Sequence, residues 1–361
     1  MSNIVKPTND KLNPMGTISL PCMEVPSFRF LLAQERRLLK NILIRTPFAL
    51  GDCICAEPAI RFAQKNFEGS TISLTTPFPD LYRHIPNIKK IYNVAKGEKP
   101  NWDDYYVFEC YHAAEALQSE FVHNFNMAIE DYISVSLFKG MIPVKDRNIV
   151  LCPTELESQA FPPQEVVIHA GKHWVAKSFP KKWWDEVISE LFELGITPTL
   201  VGARVDDGKR GYVEVNSEGC VDLRDKLSIM QSVAVLQRAK VVLTNDSAPY
   251  HMACSTKGEI AESYVGVFST IRNFDFIGHW RPSDFGNQWN HRVENLAKGQ
   301  MWQDTDVTPA RNGGKYDVCN YETIMSWLPS PEFVAAWVQQ KLRSRTYFKT
   351  VVASQSFEQS R

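Results

Sequence analysis

Short apolar runs alternate with helical stretches twice along this chain, once through residues 41–138 and again through residues 166–268. That alternation restricts the fold more than any other feature. Three-to-seven-residue runs bounded by turn residues and alternating with helical periods read as parallel strands joined by crossover helices. The first round predicts strands at Ile42–Arg45, Thr71–Thr75, Ile88–Val94 and Tyr105–Phe108, with helices at Ala56–Asn66 and Val122–Phe138. The second predicts strands at Val166–Ile168, Thr199–Val201, Lys240–Thr244 and Tyr264–Phe268, and helices at Pro180–Leu194, Ser228–Ala239 and 248–255. Two such rounds imply two doubly wound parallel sheets with right-handed crossovers, whose ligands bind at the carboxyl ends of the strands.

The length agrees with this, since 361 residues exceed one core at about 150 residues per domain. The division expected is an N-terminal extension over 1–40, a first domain over 41–160, a second over 161–330, and a closing helix and tail over 331–361. Prolines at 7, 14, 21 and 26 make residues 1–27 an irregular arm, and Phe28–Lys40 reads as a helix with a basic face of Arg29, Arg36, Arg37 and Lys40. Such a helix either packs on its own domain or lies on a membrane surface. Residues 270–318 show no clear period, and Gly313-Gly314 marks a turn. The closing helix is expected over Pro331–Arg343, with the tail after Lys349 frayed.

Chemistry concentrates in Asn245-Asp246-Ser247-Ala248-Pro249-Tyr250-His251. Asp246 or Ser247 can cap the helix whose first turn Pro249 pre-sets. A strand feeding such a turn aims free backbone N–H groups at one point, and the helix dipole adds positive potential there. This makes an anion site, or else a capped helix that holds no ligand. In the first round, Thr46-Pro47-Phe48-Ala49-Leu50-Gly51-Asp52 puts a carboxylate at the mouth of the sheet. Gly51 allows close approach or positive φ, and Asp52 can cap the next helix or serve as a base. His169-Ala170-Gly171-Lys172-His173 and Lys177 follow the first strand of the second round and put titratable side chains on the rim that a phosphate at Ser247 would reach.

Several classes are excluded. Neither G-x-G-x-x-G after a strand nor a Walker loop is present, so a nucleoside diphosphate held by a helix end and a lysine is what remains. The net charge of −1 gives no global footprint for nucleic acid, although a local basic patch is compatible with it. Of the eight cysteines, Cys53 and Cys55 are the close pair, at a spacing that fits neither a zinc knuckle nor a redox pair; they are expected to pack at a helix start, and no metal ligand set is expected. No window offers the roughly 18 apolar residues of a membrane span and no signal core opens the chain, which points to the cytoplasm, with peripheral contact at the inner face of the membrane as an option.

The order of these motifs resembles family 9 glycosyltransferases, the heptosyltransferases of lipopolysaccharide core synthesis. Arg45 to Asp52 is similar to that family's first strand and Gly-Asp turn, and Lys177-Ser178-Phe179-Pro180 with Trp183 or Trp184 to its Lys-Arg-Trp-Pro segment. Val221-Asp222-Leu223 followed by Leu227 resembles its Asp-Leu-x-Gly-x-x-Ser-Leu stretch, and Asn245–Ala253 its Asn-Asp-Ser-Gly-Pro-x-His-x-Ala signature. Cys319, Met325 and Ser330-Pro331-Glu332 follow its C-terminal pattern, so the likeness runs over roughly residues 41–345. Departures are Ala248 for the signature glycine, Phe268-Ser269-Thr270 for the usual Phe-Gly-Pro-Thr loop, and about 40 additional N-terminal residues.

The resemblance implies a GT-B fold of two facing Rossmann-like domains, with acceptor on the first and nucleotide-sugar on the second, and inverting, metal-independent transfer. It implies Asp52 as the base that deprotonates the acceptor hydroxyl, with Gly51 and Arg45 on the acceptor side. Lys177, Asp246, Ser247, Ala248 and His251 would hold the donor. No cofactor is implied beyond a nucleoside-diphosphate sugar as co-substrate, ADP-linked and carrying heptose by inheritance from the family, and the acceptor would be a glycan or glycolipid like lipopolysaccharide core. Other readings keep the donor chemistry but change the acceptor to a modified nucleic-acid base or another glycan, or lose catalysis and leave a nucleotide-sugar-binding protein. The presence of Asp52 and Lys177 argues against a pure binder, which needs no base.

Overall fold

The computed structural model describes residues 40–67, 69–110, 133, 134, 137, 142, 143, 146–172, 178–204, 211–256, 263–268, 293–296 and 328–358, the last with side chains through 344. The expected helix at Phe28–Lys40 up to its last residue, most of that at Val122–Phe138, and the stretch 270–318 apart from 293–296 lie outside these residues.

Ile42, Leu43 and Ile44 are at most 1% exposed, as a strand covered on both faces must be. They form the middle of β1 (Asn41–Arg45), which pairs in parallel with β2 (Thr71–Thr76) on one side and β4 (Tyr106–Glu109) on the other. β3 (Ile88–Asn93) adds to β2, and the sheet runs β3-β2-β1-β4. Between β1 and β2 lies α1 (Leu50–Asn66), which starts at Leu50 rather than at the expected Ala56. Pro58, whose ring and missing N–H favour a position near a helix start, sits in the interior of α1 instead, and Cys53–Ile60 are buried without a break, which erases the helical period.

The second sheet is parallel throughout, with order β12-β11-β10-β5-β7-β9. Its strands are β5 (Val166–His169), β7 (Thr199–Leu200), β9 (Val221–Asp222), β10 (Val241–Asn245), β11 (Tyr264–Phe268) and β12 (Val293–Asn295). A two-residue antiparallel ladder, β6 (Gly171–Lys172) with β8 (Gly211–Tyr212), sits beyond the carboxyl end of β5. The helices are α2 (Glu155–Gln159), α3 (Lys181–Glu193), α4 (Ile229–Arg238), α5 (Ala248–Cys254) and α6 (Pro331–Glu358). Ser228 caps α4 with a reciprocal Ser228–Gln231 box, and Thr154 caps α2 in the same way with Glu157. α6 runs past Arg343 and through the tail expected to fray after Lys349; no glycine or proline follows Pro331 to stop it.

Alternate residues divide the second core. Val166, Ile168, Val241 and Leu243 face α3 and α6, where Trp183, Trp184 and Phe268 meet edge to face at 4.8–5.4 Å between centroids. Gly266 is required on this side, because a Cβ there would come within 2.8 Å of Leu296 and 3.2 Å of the Trp337 ring. Val167, Val242, Val265 and Val267 face the other way, into an apolar cluster that continues through α4 and α5 to α1 and the first sheet. The two sheets therefore share one core, and α1 against α5 is its seam.

Candidate active site

The seam is also where the candidate residues gather. The loop after β1 is closed by the Cys53 thiol donating to the Pro47 carbonyl at 2.8 Å, and Cys53 N–H bonds the Ala49 carbonyl to open α1. Burial pushes the Cys53 thiol up to about 12, so this cysteine packs and does not react. Ala49 is the N-cap and no side chain caps the helix, which removes the capping reading of Asp52. Asp52 lies half-buried in the first turn, where the helix dipole favours a carboxylate. Gly51 does not take positive φ. Its bare Cα faces α5: a Cβ there would stand 3.5 Å from His251 Cδ2 and 3.7 Å from Ala248 N. One turn on, Cys55 Sγ is 3.6 Å from His251 Nδ1. Thus the first turn of α1, with Asp52, lies directly against the first turns of α5. Arg45, at the end of β1, pairs with Glu109 across the β1–β4 register and lies over the Trp102 ring at 5.4 Å.

Across the seam, β10 ends in Asn245 and Asp246 follows it, both nearly fully buried, and Ser247 holds the N-cap of α5. The Ser247 hydroxyl makes no capping bond. It turns back to the sheet, donating to the Asn245 carbonyl at 3.2 Å and standing 3.4 Å from His169 Nδ1. At the start of α5 Pro249 has no N–H and the Tyr250 N–H bonds the Ser247 carbonyl at 2.9 Å, so the Ala248 N–H is the backbone donor that the helix start offers. Pro249 lies in the first turn, as expected.

His169 departs from the rim position expected of it. It is the last residue of β5, 6% exposed, and burial pushes its pKa down to about 4 against the opposing effect of its hydrogen bond with the Asn245 side chain. It is a neutral floor beneath Ser247. The signal that would have revealed this is Gly171, where a Cβ would fall 2.2 Å from Asn245 Oδ1 and 2.6 Å from His169 Cε1; a glycine two residues past a strand-end histidine marks polar side chains folded beneath the loop. Lys177 lies outside the described residues. In the segment it opens, Phe179 is buried against Trp183 and Phe268, and both Trp183 and Trp184 are core.

At the far end of the same strand mouths, Arg224 donates to both oxygens of Asp222, at 2.9 and 2.6 Å, and this holds the Asp222 carboxyl down to about 2. Asp225 adopts φ 58°, the left-handed conformation that glycine takes readily, and accepts from the Tyr212 hydroxyl at 2.6 Å. Among the described residues no three His, Cys, Asp or Glu side chains converge as metal ligands would, and no helix is long and apolar enough to cross a membrane.

Residues 139–269, which carry β5 through α5, match the model of glycosyltransferase family 9 (heptosyltransferase). Over this segment the chain is similar to family 9 glycosyltransferases, at the low identity of a divergent sequence. Solved structures extend the likeness over both sheets. The E. coli ADP-heptose lipopolysaccharide heptosyltransferase II superposes with a TM-score of 0.55 at 15% identity, covering 85% of this chain and 100% of that one. TibC from enterotoxigenic E. coli H10407, a dodecameric iron-containing heptosyltransferase solved with ADP-D-beta-D-heptose, gives 0.56 at 15% identity, covering 85% and 77%. No curated protein sequence matches. These likenesses establish the fold as GT-B: two parallel α/β sheets with the strand mouths of both at one seam.

Proposed function

We propose that this glycosyltransferase moves heptose from ADP-heptose to an acceptor like lipopolysaccharide core, with inversion and without a metal ion. The observation that carries this reading is the contact of Gly51 with Ala248 and His251. It brings the first turn of α1, which carries Asp52, against the start of α5, and this supports reading Asp52 as the base beside a diphosphate held there. In this reading Asp52 takes the proton of the acceptor hydroxyl as its oxygen attacks the anomeric carbon. The bond from that carbon to the diphosphate breaks on the opposite face, and the leaving charge is met by the Ala248 N–H and the dipole at the start of α5 and by Lys177. Asp246 and His251, both buried, shape the turn, and the neutral His169 keeps Ser247 in place without adding charge. The first sheet holds the acceptor, with Arg45 at its mouth. The donor's identity follows the ADP-heptose bound to TibC, and cytoplasmic localisation with peripheral membrane contact follows the acceptor.

The test is transfer from a panel of nucleotide sugars to core oligosaccharide, with the anomeric configuration of the product read by NMR and ADP binding measured calorimetrically with and without EDTA. ADP-heptose should be the preferred donor, the configuration should invert, and Lys177→Ala should weaken ADP binding to the same extent in either buffer. Affinity that collapses with EDTA would replace the charge compensation proposed here with a divalent ion.

A further inference from the structure

Glu57 is fully buried in the middle of α1, and its carboxylate is divided between the two halves of the molecule. One oxygen accepts from Arg61 Nε at 2.7 Å and stands 3.1 Å from His84 Nε2, both belonging to the first sheet's helices and loops. The other accepts from the backbone N–H of Val150 at 2.8 Å. Val150 belongs to the strip that leads from the first sheet to the second. Arg61 grips the same strip, donating through Nη2 to the Asn148 carbonyl at 2.6 Å. From the other side the strip is held by the end of α5: Val150 bridges Thr256, and Leu151 N–H and Thr256 N–H bond the carbonyls of Thr256 and Ile149 at 2.9 and 3.0 Å.

This is a chain of direct bonds from α1 through residues 148–151 to the end of α5, the two helices whose opposite ends carry Asp52 and Ser247. Glu57 lies five residues beyond Asp52, about 7.5 Å along the axis at 1.5 Å per residue. A carboxylate with no exposure is expensive to bury unless every partner is kept, so the cluster tolerates one arrangement of helix, strip and α5. A purely apolar seam would allow small slides of one helix on the other.

We infer that Glu57 is a positioning residue for transfer: by pinning residues 148–151 to α1 it sets the register of α1 against α5, and with it the placement of Asp52 over the helix start at Ser247. The inference rests on the reading of Asp52 as base. Glu57 touches neither substrate, so its effect should fall on kcat, where a misplacement remote from the chemistry can cost up to about 100-fold, and not on donor affinity.

The experiment compares Glu57→Gln and Arg61→Lys with the wild-type chain in three measurements: kcat and KM for donor and acceptor, ADP binding by calorimetry, and hydrogen exchange of peptides over 146–152 and 253–256. Glu57→Gln removes the charge and keeps the shape; Arg61→Lys keeps Glu57 but loses the reach to the Asn148 carbonyl. Both should lower kcat, Glu57→Gln by about tenfold or more, with ADP affinity and donor KM within about twofold and with faster exchange in both peptides. Unchanged kcat despite faster exchange would overturn the inference, as would ADP affinity falling in step with kcat. Unfolding of both variants would assign the cluster to core stability and overturn it as well. If the wild-type chain transfers no sugar, the proposed reaction fails, while exchange still reports whether Glu57 couples the strip to α5; unchanged exchange in both peptides would sink the coupling on its own.

Discussion

His169 ends β5 beneath Ser247, and its ring stays neutral because burial pushes its pKa down to about 4. An unfolded chain takes up a proton there below about pH 6.5, whereas the folded chain does not until about 4. Its contribution to stability is therefore full above pH 6.5 and is lost as pH falls toward 4. Chemical denaturation of His169→Asn against wild type should show a shallower loss of stability across that window; parallel pH profiles would mean the ring is not held neutral. Gly171 belongs to the same cluster. A methyl placed 2.2 Å from Asn245 Oδ1 forces the strand-end turn to shift, so Gly171→Ala should cost about 1–3 kcal/mol in a denaturant midpoint and weaken ADP binding with it. A loss of stability with ADP affinity intact would separate this cluster from the donor site.

Helices and strands differ in how openly the chain advertises them. Tyr264–Phe268 and α4 stand where apolar runs and caps place them, since the first is a continuous apolar run and the second has a 3.6-residue period and its own cap. α1 was legible only in its second half, because burial from two sides removes the period that a one-sided helix displays. The site divides in the same way. The Ser247 helix start and the Asp52 loop announce themselves locally, by a strand, a turn and a proline or glycine. The His169–Asn245 contact and the Glu57–Val150 bond join residues 76 and 93 positions apart, and no local spacing encodes such a meeting. α3 supplies a prediction at this scale. Trp184 is fully buried between its neighbour Trp183 and Phe268, so Trp184→Ala should cost about 3–5 kcal/mol in equilibrium unfolding. A loss below about 1 kcal/mol would mean that this core refills without it.

At the scale of the molecule, two parallel sheets share a single apolar core through α1 and α5, and that sharing gives the proposed reaction its geometry. In the proposed reaction each sheet supplies half of the site. The first carries a carboxylate at a helix start; the second carries the turn and helix start that suit a diphosphate, within the segment matched by the family 9 model. The ion pair of Arg83 with Glu157 adds a second tie between the first sheet and the strip leading to the second, and it holds the Glu157 carboxyl down to about 2. The central claim is that the carboxylate from one sheet acts on an acceptor while the other sheet holds the donor. The most direct measurement is single-turnover sugar transfer by Asp52→Ala, alongside calorimetric ADP binding and a folding check. The account predicts a loss of about 10²- to 10⁴-fold in transfer rate, with ADP affinity and fold unchanged. A loss of no more than about threefold in a folded protein, small against that expected for removal of a general base, would contradict it and leave Asp52 as a carboxylate that merely suits the start of its helix.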